Sequence, residues 1–320
     1  MIVDPKAKDP AFRDGRLPEV DLRAAIDEAR ASLGIRDQWR LISARRKLGK
    51  TLFEVEEGNR RLIGLISRSE RMAHAFDSLR RVWDAGMRPP AALTVVEPVG
   101  HVPELNLIVM EKAGGELLWQ IIERGSEYAL ERTEMAAQWL AALHGLPVSA
   151  PAWSEDRSRI ERWGAQLKKA LPHEAARIEE LRDNILQRLQ SDAGLVPSHG
   201  DFHGGNLFVA ASPRITVIDL DKFGLREREF DVAYFLGQTA SMGFWKRGSF
   251  DWTKPFRDRF LEAYERHASV ALNSERISLY IASTLLQNLN YDLNVFKTGR
   301  IEIAPAFLEL AEASVFAPLR

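Results

Sequence analysis

His199-Gly200-Asp201-Phe202-His203-Gly204-Gly205-Asn206, followed by Val217-Ile218-Asp219-Leu220-Asp221, is the most informative stretch of the chain. Carboxylates, an amide and histidines crowd around three glycines, far more polar chemistry than a connecting loop needs. The apolar run Ile215-Thr216-Val217-Ile218 has β texture and sets Asp219 at a strand end. This loop-and-strand island, from about Val196 to Asp219, interrupts a region that is otherwise helical in pattern.

Upstream the texture is different. Residues 1 to about 18 read as a mobile leader, and a short helix is expected from Val20 to Leu33. Three β-type runs follow, Trp39–Ser43, Thr51–Val55 and Leu62–Ile66, separated by the turn residues Gly49 and Gly58-Asn59. Ser69 is the expected N-cap of a helix whose apolar positions run from Met72 to Trp83 and which ends at Gly86. Two more runs, Ala92–Val96 and Leu105–Met110, complete the expected five-stranded antiparallel sheet. Helices are expected to end near His144-Gly145 and to span Asp156–Ala170 and His173–Leu189. Beyond Phe230 all is helical, with Ile277–Phe296 apolar enough to be buried. The domain reading is an N-terminal extension with a short helix (1–38), a small β lobe (39–112) and a helical lobe (113–320) carrying the loop 199–206.

The 320 residues carry 44 Lys+Arg against 45 Asp+Glu, a balance that argues against a nucleic-acid partner. Cysteine is absent, which excludes disulfides, thiolate metal sites and cysteine nucleophiles. No apolar run reaches the ~18 residues that span a bilayer, and the N-terminus lacks the apolar core of a secretory signal, so a cytoplasmic protein with no membrane partner is expected.

The spacing of the polar residues suits phosphoryl transfer. That chemistry needs a carboxylate to take the acceptor hydroxyl's proton and oxygen ligands for the metal that neutralises the phosphates. In kinase catalytic loops the base Asp and the metal-binding Asn lie five positions apart, the spacing of Asp201 and Asn206. Asp219 then fits a second metal carboxylate, since Mg²⁺ prefers hard oxygen donors and keeps several waters.

At these residues the chain resembles the aminoglycoside phosphotransferase-like family, relatives of choline, fructosamine and methylthioribose kinases. That family has His-Gly-Asp-x-His-x-x-Asn, then an Ile-Asp strand end, then an Asp opening the next helix. Here those are His199 to Asn206, Ile218-Asp219, and Asp231 in Phe230-Asp231-Val232-Ala233. Leu140–His144 is similar to a family helix ending in Leu-His, and Ile108-Val109-Met110-Glu111 before Gly114-Gly115 is similar to its hinge. The resemblance implies an α+β, protein-kinase-like bilobal fold, with a small antiparallel β N-lobe carrying one helix and a larger, mostly helical C-lobe. It implies ATP or GTP and Mg²⁺, and transfer of the γ-phosphate to a hydroxyl of an aminoglycoside, amino alcohol, sugar or related metabolite. Asp201 is the implied base and Asn206 and Asp219 the implied metal ligands. Met110 and Glu111 are the implied nucleotide contacts at the hinge.

The remaining residues take supporting parts. His199 and His203 read as hydrogen-bonding residues of the loop rather than proton carriers, and Asp231 as an anchor of the loop backbone. Asp221 reads equally as a metal neighbour or a salt-bridged carboxylate. The family also carries a strand lysine that grips the α- and β-phosphates, paired with a helix Glu. Leu65 stands at that place here, and the next helix offers Asp77 or Glu70. The hairpin before it has Gly49 alone but is basic, with Arg45, Arg46, Lys47 and Lys50; Lys47 and Lys50 are the candidate substitutes for nucleotide binding. Two rivals remain. One is a metallophosphoesterase, since Gly200–Gly204 also resembles its Gly-Asp-x-His-Gly element, although no Gly-Asn-His follows. The other is a nucleotide-binding pseudokinase that has lost catalysis with the lysine.

Overall fold

The computed structural model describes residues 22–47, 49–67, 69, 71–189 and 194–316. The leader and Glu70 lie outside these residues, as does the side chain of Lys47. The chain forms two compact units. The first ends at Glu116 and takes in Leu207–Phe223; the second comprises Leu117–Asn206 and the chain from Gly224 onward.

The first unit opens with helix α1 (Leu22–Ser32) and three hydrogen-bonded strands, β1 (Trp39–Lys47), β2 (Lys50–Glu57) and β3 (Arg60–Ser67). Helix α2 (Met72–Asp84) follows, then β4 (Leu93–Val95), β5 (Pro98–Val102) and β6 (Leu107–Glu111). The main sheet has the order β1-β2-β3-β6-β5 and is antiparallel throughout. Alternation along β2 and β3 sends Phe53, Val55, Leu62 and Ile66 to one face, where Ala25, Ile26 and Ala29 of α1 pack on them. The short N-terminal helix is therefore part of this core.

The sheet is five-stranded, but its strands differ from the expected set. The run Ala92–Val96 does not enter it. Leu93–Val95 instead pairs in parallel with β10 (Ile215–Val217), in a sheet of order β4-β10-β9-β7, where β7 is Glu116–Leu117 and β9 is Leu207–Val209. The fifth strand of the main sheet is Pro98–Val102, whose Pro, Gly and His residues hid it from propensity. Pairing explains this: β5 is an edge strand, where Pro is tolerated, while Thr94 ties β4 to β10 through the Ile215 carbonyl (3.2 Å) and Thr216 Oγ1 (2.9 Å). This pairing also places Leu207–Phe223 with the first unit. The expected cap of α2 shifts too: Arg71 occupies the N-cap, and Ser69 Oγ accepts the Arg71 N–H one turn earlier (3.2 Å).

The second unit is helical: α3 (Leu118–Glu123), α4 (Glu127–His144), α5 (Asp156–Ala170), α6 (Ala175–Arg188), α7 (Arg228–Arg247), α8 (Lys254–Ala268), α9 (Ser274–Asn290) and α10 (Ala304–Phe316). Strands β8 (Leu195–Ser198) and β11 (Gly224–Glu227) pair antiparallel and bracket the polar stretch. Helix α4 begins on a side-chain cap, Ser126 Oγ accepting from Ala129 N–H, and stops at Gly145. Helix α7 packs against α9, with Gly237 set against Thr284: a Cβ there would lie 2.9 Å from the Thr284 side chain. Among the described residues, no helix is long and apolar enough to cross a membrane.

Because Ile26 is 4% exposed within the sheet's core, Ile26→Ala should lower the unfolding free energy by about 2–5 kcal/mol, as for other large-to-small core changes. Urea unfolding checks this; an unchanged midpoint would place α1 outside the cooperative unit.

Candidate active site

The loop leaves β8 at His199, which is fully buried, and turns at Gly200 with φ +79°, a conformation that glycine adopts without strain. Asp201 follows, half-buried, and Phe202 plugs the loop into the core. Its ring stacks on Trp139 of α4 (centroids 5.5 Å apart) and meets Phe235 of α7 and Phe260 of α8 at 6.0 and 6.2 Å. One apolar anchor thus holds the polar residues on either side of it.

Hydrogen bonds finish the loop. His199 Nδ1 accepts the Asp201 N–H (3.2 Å); His203 Nδ1 accepts the Gly205 N–H (3.0 Å) and the Trp119 indole N–H (3.3 Å). The Asn206 amide nitrogen donates to the Asp201 carbonyl at 3.0 Å, closing the five-residue span on itself. That bond commits the nitrogen and leaves Oδ1 as the amide's ligand atom.

The loop backbone hangs on Asp231 in the first turn of α7. Its carboxylate, fully buried, accepts the N–H groups of His199 (2.7 Å) and Gly200 (2.9 Å). His144, at the end of α4, approaches the same carboxylate at 3.2 Å and Tyr264 at 2.6 Å. Burial pushes the His144 imidazole below its ordinary value of 6.5, against the pull of Asp231. Burial alone would raise the Asp231 carboxyl, but the His144 hydrogen bond and the charges around it hold it below its ordinary 3.8. A neutral imidazole satisfies both: Nε2–H donates to Asp231, and Nδ1 accepts the Tyr264 hydroxyl, whose own oxygen accepts from Arg228 (3.2 Å). Burial pushes the Tyr264 phenol up to about 12, so its proton stays available to His144.

One residue was missed in the sequence. Tyr234 of α7 donates its hydroxyl to Asp201 Oδ1 at 2.6 Å. Its only sequence signal is its place three residues after Asp231, on the same helix face.

In the first unit, Asp219 lies just beyond β10, exposed and in the left-handed region at φ +68°. For a non-glycine residue this conformation is uncommon, and such outliers gather at functional sites. Leu220 and Phe223 are buried on either side of Asp221, and His74 of α2 bonds the Phe223 carbonyl at 2.9 Å. Asp221 Oδ2 faces Lys50 Nζ at 3.7 Å, while its Oδ1 is buried with no hydrogen-bond partner among the described residues. Lys50 of the basic hairpin is thus set beside the Asp219-Leu220-Asp221 turn. Leu65 is half-buried on β3, paired with Leu52 and Ile108. Asp77 is exposed on α2. Met110 and Glu111 end β6, Met110 opposite Ile63 and Glu111 N–H on the Glu97 carbonyl (2.9 Å). Past them, Gly115 (φ +103°) runs so close to β9 that a Cβ would fall 2.3 Å from the Val209 carbonyl.

Oxygen donors of the kind a hard cation takes occur in each unit. In the second, Asn206 offers its amide oxygen; in the first, Asp219 offers an exposed carboxylate and Asp221 a buried oxygen with no hydrogen-bond partner among the described residues. Among the described residues no three His, Cys, Asp or Glu side chains gather to hold a metal by themselves. Mg²⁺ takes donors of this type and fills the rest of its shell with phosphate oxygens and water.

The sequence profile of the phosphotransferase enzyme family matches residues 45–279, well over half of the chain. The chain belongs to this family. No curated protein sequence matches it significantly, whereas many solved structures share its fold. A spectinomycin phosphotransferase, solved with ADP and spectinomycin, aligns with a TM-score of 0.62 at 16% identity, covering 91% of this chain and 98% of that one. The choline kinase LicA from Streptococcus pneumoniae aligns at 0.61 and 16%, covering 92% and 99%. The streptomycin–ATP–APH(2″)-IIa ternary complex aligns at 0.59 and 16%, covering 91% and 99%. The fold of this family member is accordingly the α+β, protein-kinase-like fold of small-molecule kinases.

The neutral, buried His144 sets a pH dependence. The unfolded chain binds a proton near 6.5 that the folded chain refuses, so the unfolded state holds more protons and stability falls as pH drops below that value. Urea unfolding between pH 7.5 and 5.5, read as wild type against His144→Gln, should show the decline largely flattened in the variant. Equal slopes would mean that His144 is already charged in the fold.

Proposed function

We propose that this phosphotransferase moves the γ-phosphate of ATP to a hydroxyl of a small molecule, with Asp201 as the base. The acceptor oxygen attacks the γ-phosphorus, the bond to the β-phosphate oxygen breaks, ADP leaves, and the hydroxyl proton passes to the Asp201 carboxylate. The observation that carries this reading is the bracing of Asp201: a buried carboxylate, two histidines, an aromatic plug and an amide clasp all serve to hold one half-buried acid in place. A connecting loop has no need of that much fixing.

Asn206 and Asp219 are the proposed ligands of Mg²⁺, on the grounds of their spacing, their family positions and their own surroundings. The metal would neutralise phosphate charge. Lys50 is the proposed replacement for the strand lysine, already paired with Asp221 and so partly oriented. Met110 and Glu111, at the end of β6, are the proposed contacts of the nucleotide base.

The acceptor is a hydroxylated metabolite, with no special support for a polycation. From Asp221 to Arg320 there are 13 acidic and 13 basic residues, and carboxylates of this unit are already paired, buried Glu227 with Arg276 and half-buried Asp156 with Arg226. Relatives in fold named for spectinomycin, streptomycin and choline span amino-sugar and amino-alcohol chemistry, and both belong in an acceptor panel. GTP belongs beside ATP in the same panel.

One observation favours a second reading. The site of the strand lysine is an apolar patch, Leu65 with Leu52 and Ile108, which is what a nucleotide-binding pseudokinase would tolerate. Mg²⁺-dependent turnover of ATP across the panel separates the two: none at all, with tight Mg·ATP binding, establishes the pseudokinase.

Asp201→Asn keeps shape but cannot take a proton. It should lower kcat by about 10²–10⁴-fold and leave nucleotide affinity nearly unchanged, a loss confined to chemistry. Full turnover in that variant removes Asp201 as the base. Lys50→Met should weaken Mg·ATP binding by roughly 10–100-fold, the worth of a hydrogen bond to a charged group. Calorimetric titration reads this, and unaltered affinity assigns the phosphate contact elsewhere.

A further inference from the structure

Asp201 ends a chain of donors that nothing in the family motif contains. Gln287 of α9 donates its amide N–H to the Tyr234 oxygen at 3.1 Å, and the Tyr234 hydroxyl donates to Asp201 Oδ1 at 2.6 Å. We infer that Tyr234, steadied by Gln287, is a positioning residue that fixes the plane of the Asp201 carboxylate for proton abstraction; this role rests on the phosphotransferase reading above.

The physical case is directional. A phenol hydroxyl is a rotor with one donor and two acceptor lone pairs. With the Gln287 amide on the oxygen, the proton is steered to Asp201. The terminal torsion of an aspartate is otherwise broad, so one short, charge-assisted bond at a fixed angle removes most of its freedom. Both donors are enclosed: Tyr234 is 4% exposed and Gln287 8%. The Tyr234 ring is itself clamped, stacked on Phe230 at 6.0 Å and set beside His203 at 6.4 Å.

The helices are arranged to allow this. Tyr234 and Gly237 lie three apart on α7; Thr284 and Gln287 lie three apart on α9. Gly237 lets Thr284 come close, and the next contact along this seam is Gln287 with Tyr234. Burial, together with the neighbouring charge of Asp201, pushes the Tyr234 phenol well above its ordinary 10, so it remains a donor at working pH. A residue needed only for packing could be Phe here. The hydroxyl is the part that touches the base.

The test uses the full chain with Mg·ATP, following ADP release both with water alone and over the acceptor panel. Tyr234→Phe should lower kcat about tenfold, the size expected for one lost hydrogen bond to a charge, with KM for ATP nearly unchanged. Gln287→Met should cause a smaller drop. The double variant should be no worse than Tyr234→Phe, because Gln287 acts only through the phenol. Full kcat in Tyr234→Phe, or independent losses that multiply in the double variant, would overturn the inference. A second readout does not depend on turnover: urea unfolding of Tyr234→Phe, Asp201→Asn and their combination, each checked for cooperative melting, should show the two substitutions coupled. Turnover in the parent without coupling sinks the role of Tyr234 alone. Coupling in a parent that consumes no ATP brings down the enzyme reading, and the positioning role with it.

Discussion

Everything in the helical unit's polar loop depends on one buried carboxylate. Asp231 takes hydrogen bonds from two successive backbone N–H groups, His199 and Gly200, and a third from His144. A carboxylate removed from water is costly unless its oxygens are satisfied, and here the satisfying groups are the loop itself. The loop therefore adopts the one path that places both N–H groups on Asp231. Loop geometry and charge burial are the same event, which is why a glycine with positive φ sits between them and why the helix end bearing His144 must arrive at the same point.

Helix α7 then works as a ruler. Asp231 in its first turn fixes the backbone before the acid, and Tyr234, one turn on, reaches the acid's own side chain. Three hydrogen bonds from one helix thus fix the backbone leading into Asp201 and its side chain. The aromatic packing of Phe202 among Trp139, Phe235 and Phe260 makes that helix and its neighbours a rigid mount, and packed interiors of this kind shift little.

The first unit shows a different economy. Its sheet is braced by α1 on one face, and on the other Leu65 of β3 lies between Leu52 and Ile108. At the start of β2, Lys50 meets Asp221. A lysine on a strand is held by the sheet, and one at a hairpin mouth is held by its partner, so Asp221 is what orients Lys50. The parallel pairing of β4 with β10 carries that carboxylate into this unit.

Much of this was legible in the residues themselves. The five-residue interval from Asp201 to Asn206, the Ile218-Asp219 strand end and Asp231 after Phe230 are local patterns, and the family reading rests on them because catalytic spacing along one loop is written in sequence order. The sequence pattern likewise gave α2, α5 and α6 with boundaries within two or three residues, and the ends of α1 and α4, since a helix buries a face set by its own sequence. Strand membership was another matter. Leu93–Val95 has the β texture but joins β10, and Pro98–Val102 lacks it yet edges the main sheet, because pairing is decided by which backbone edges meet. The same holds for Tyr234 and Gln287, 53 residues apart, and for Lys50 and Asp221. Sequence named Asp201, because its neighbours along the chain define the motif; only the packing of α7 on α9 decided what holds its side chain, and only the hairpin beside the turn after β10 decided what faces Asp221, because contacts across such distances leave no periodic trace.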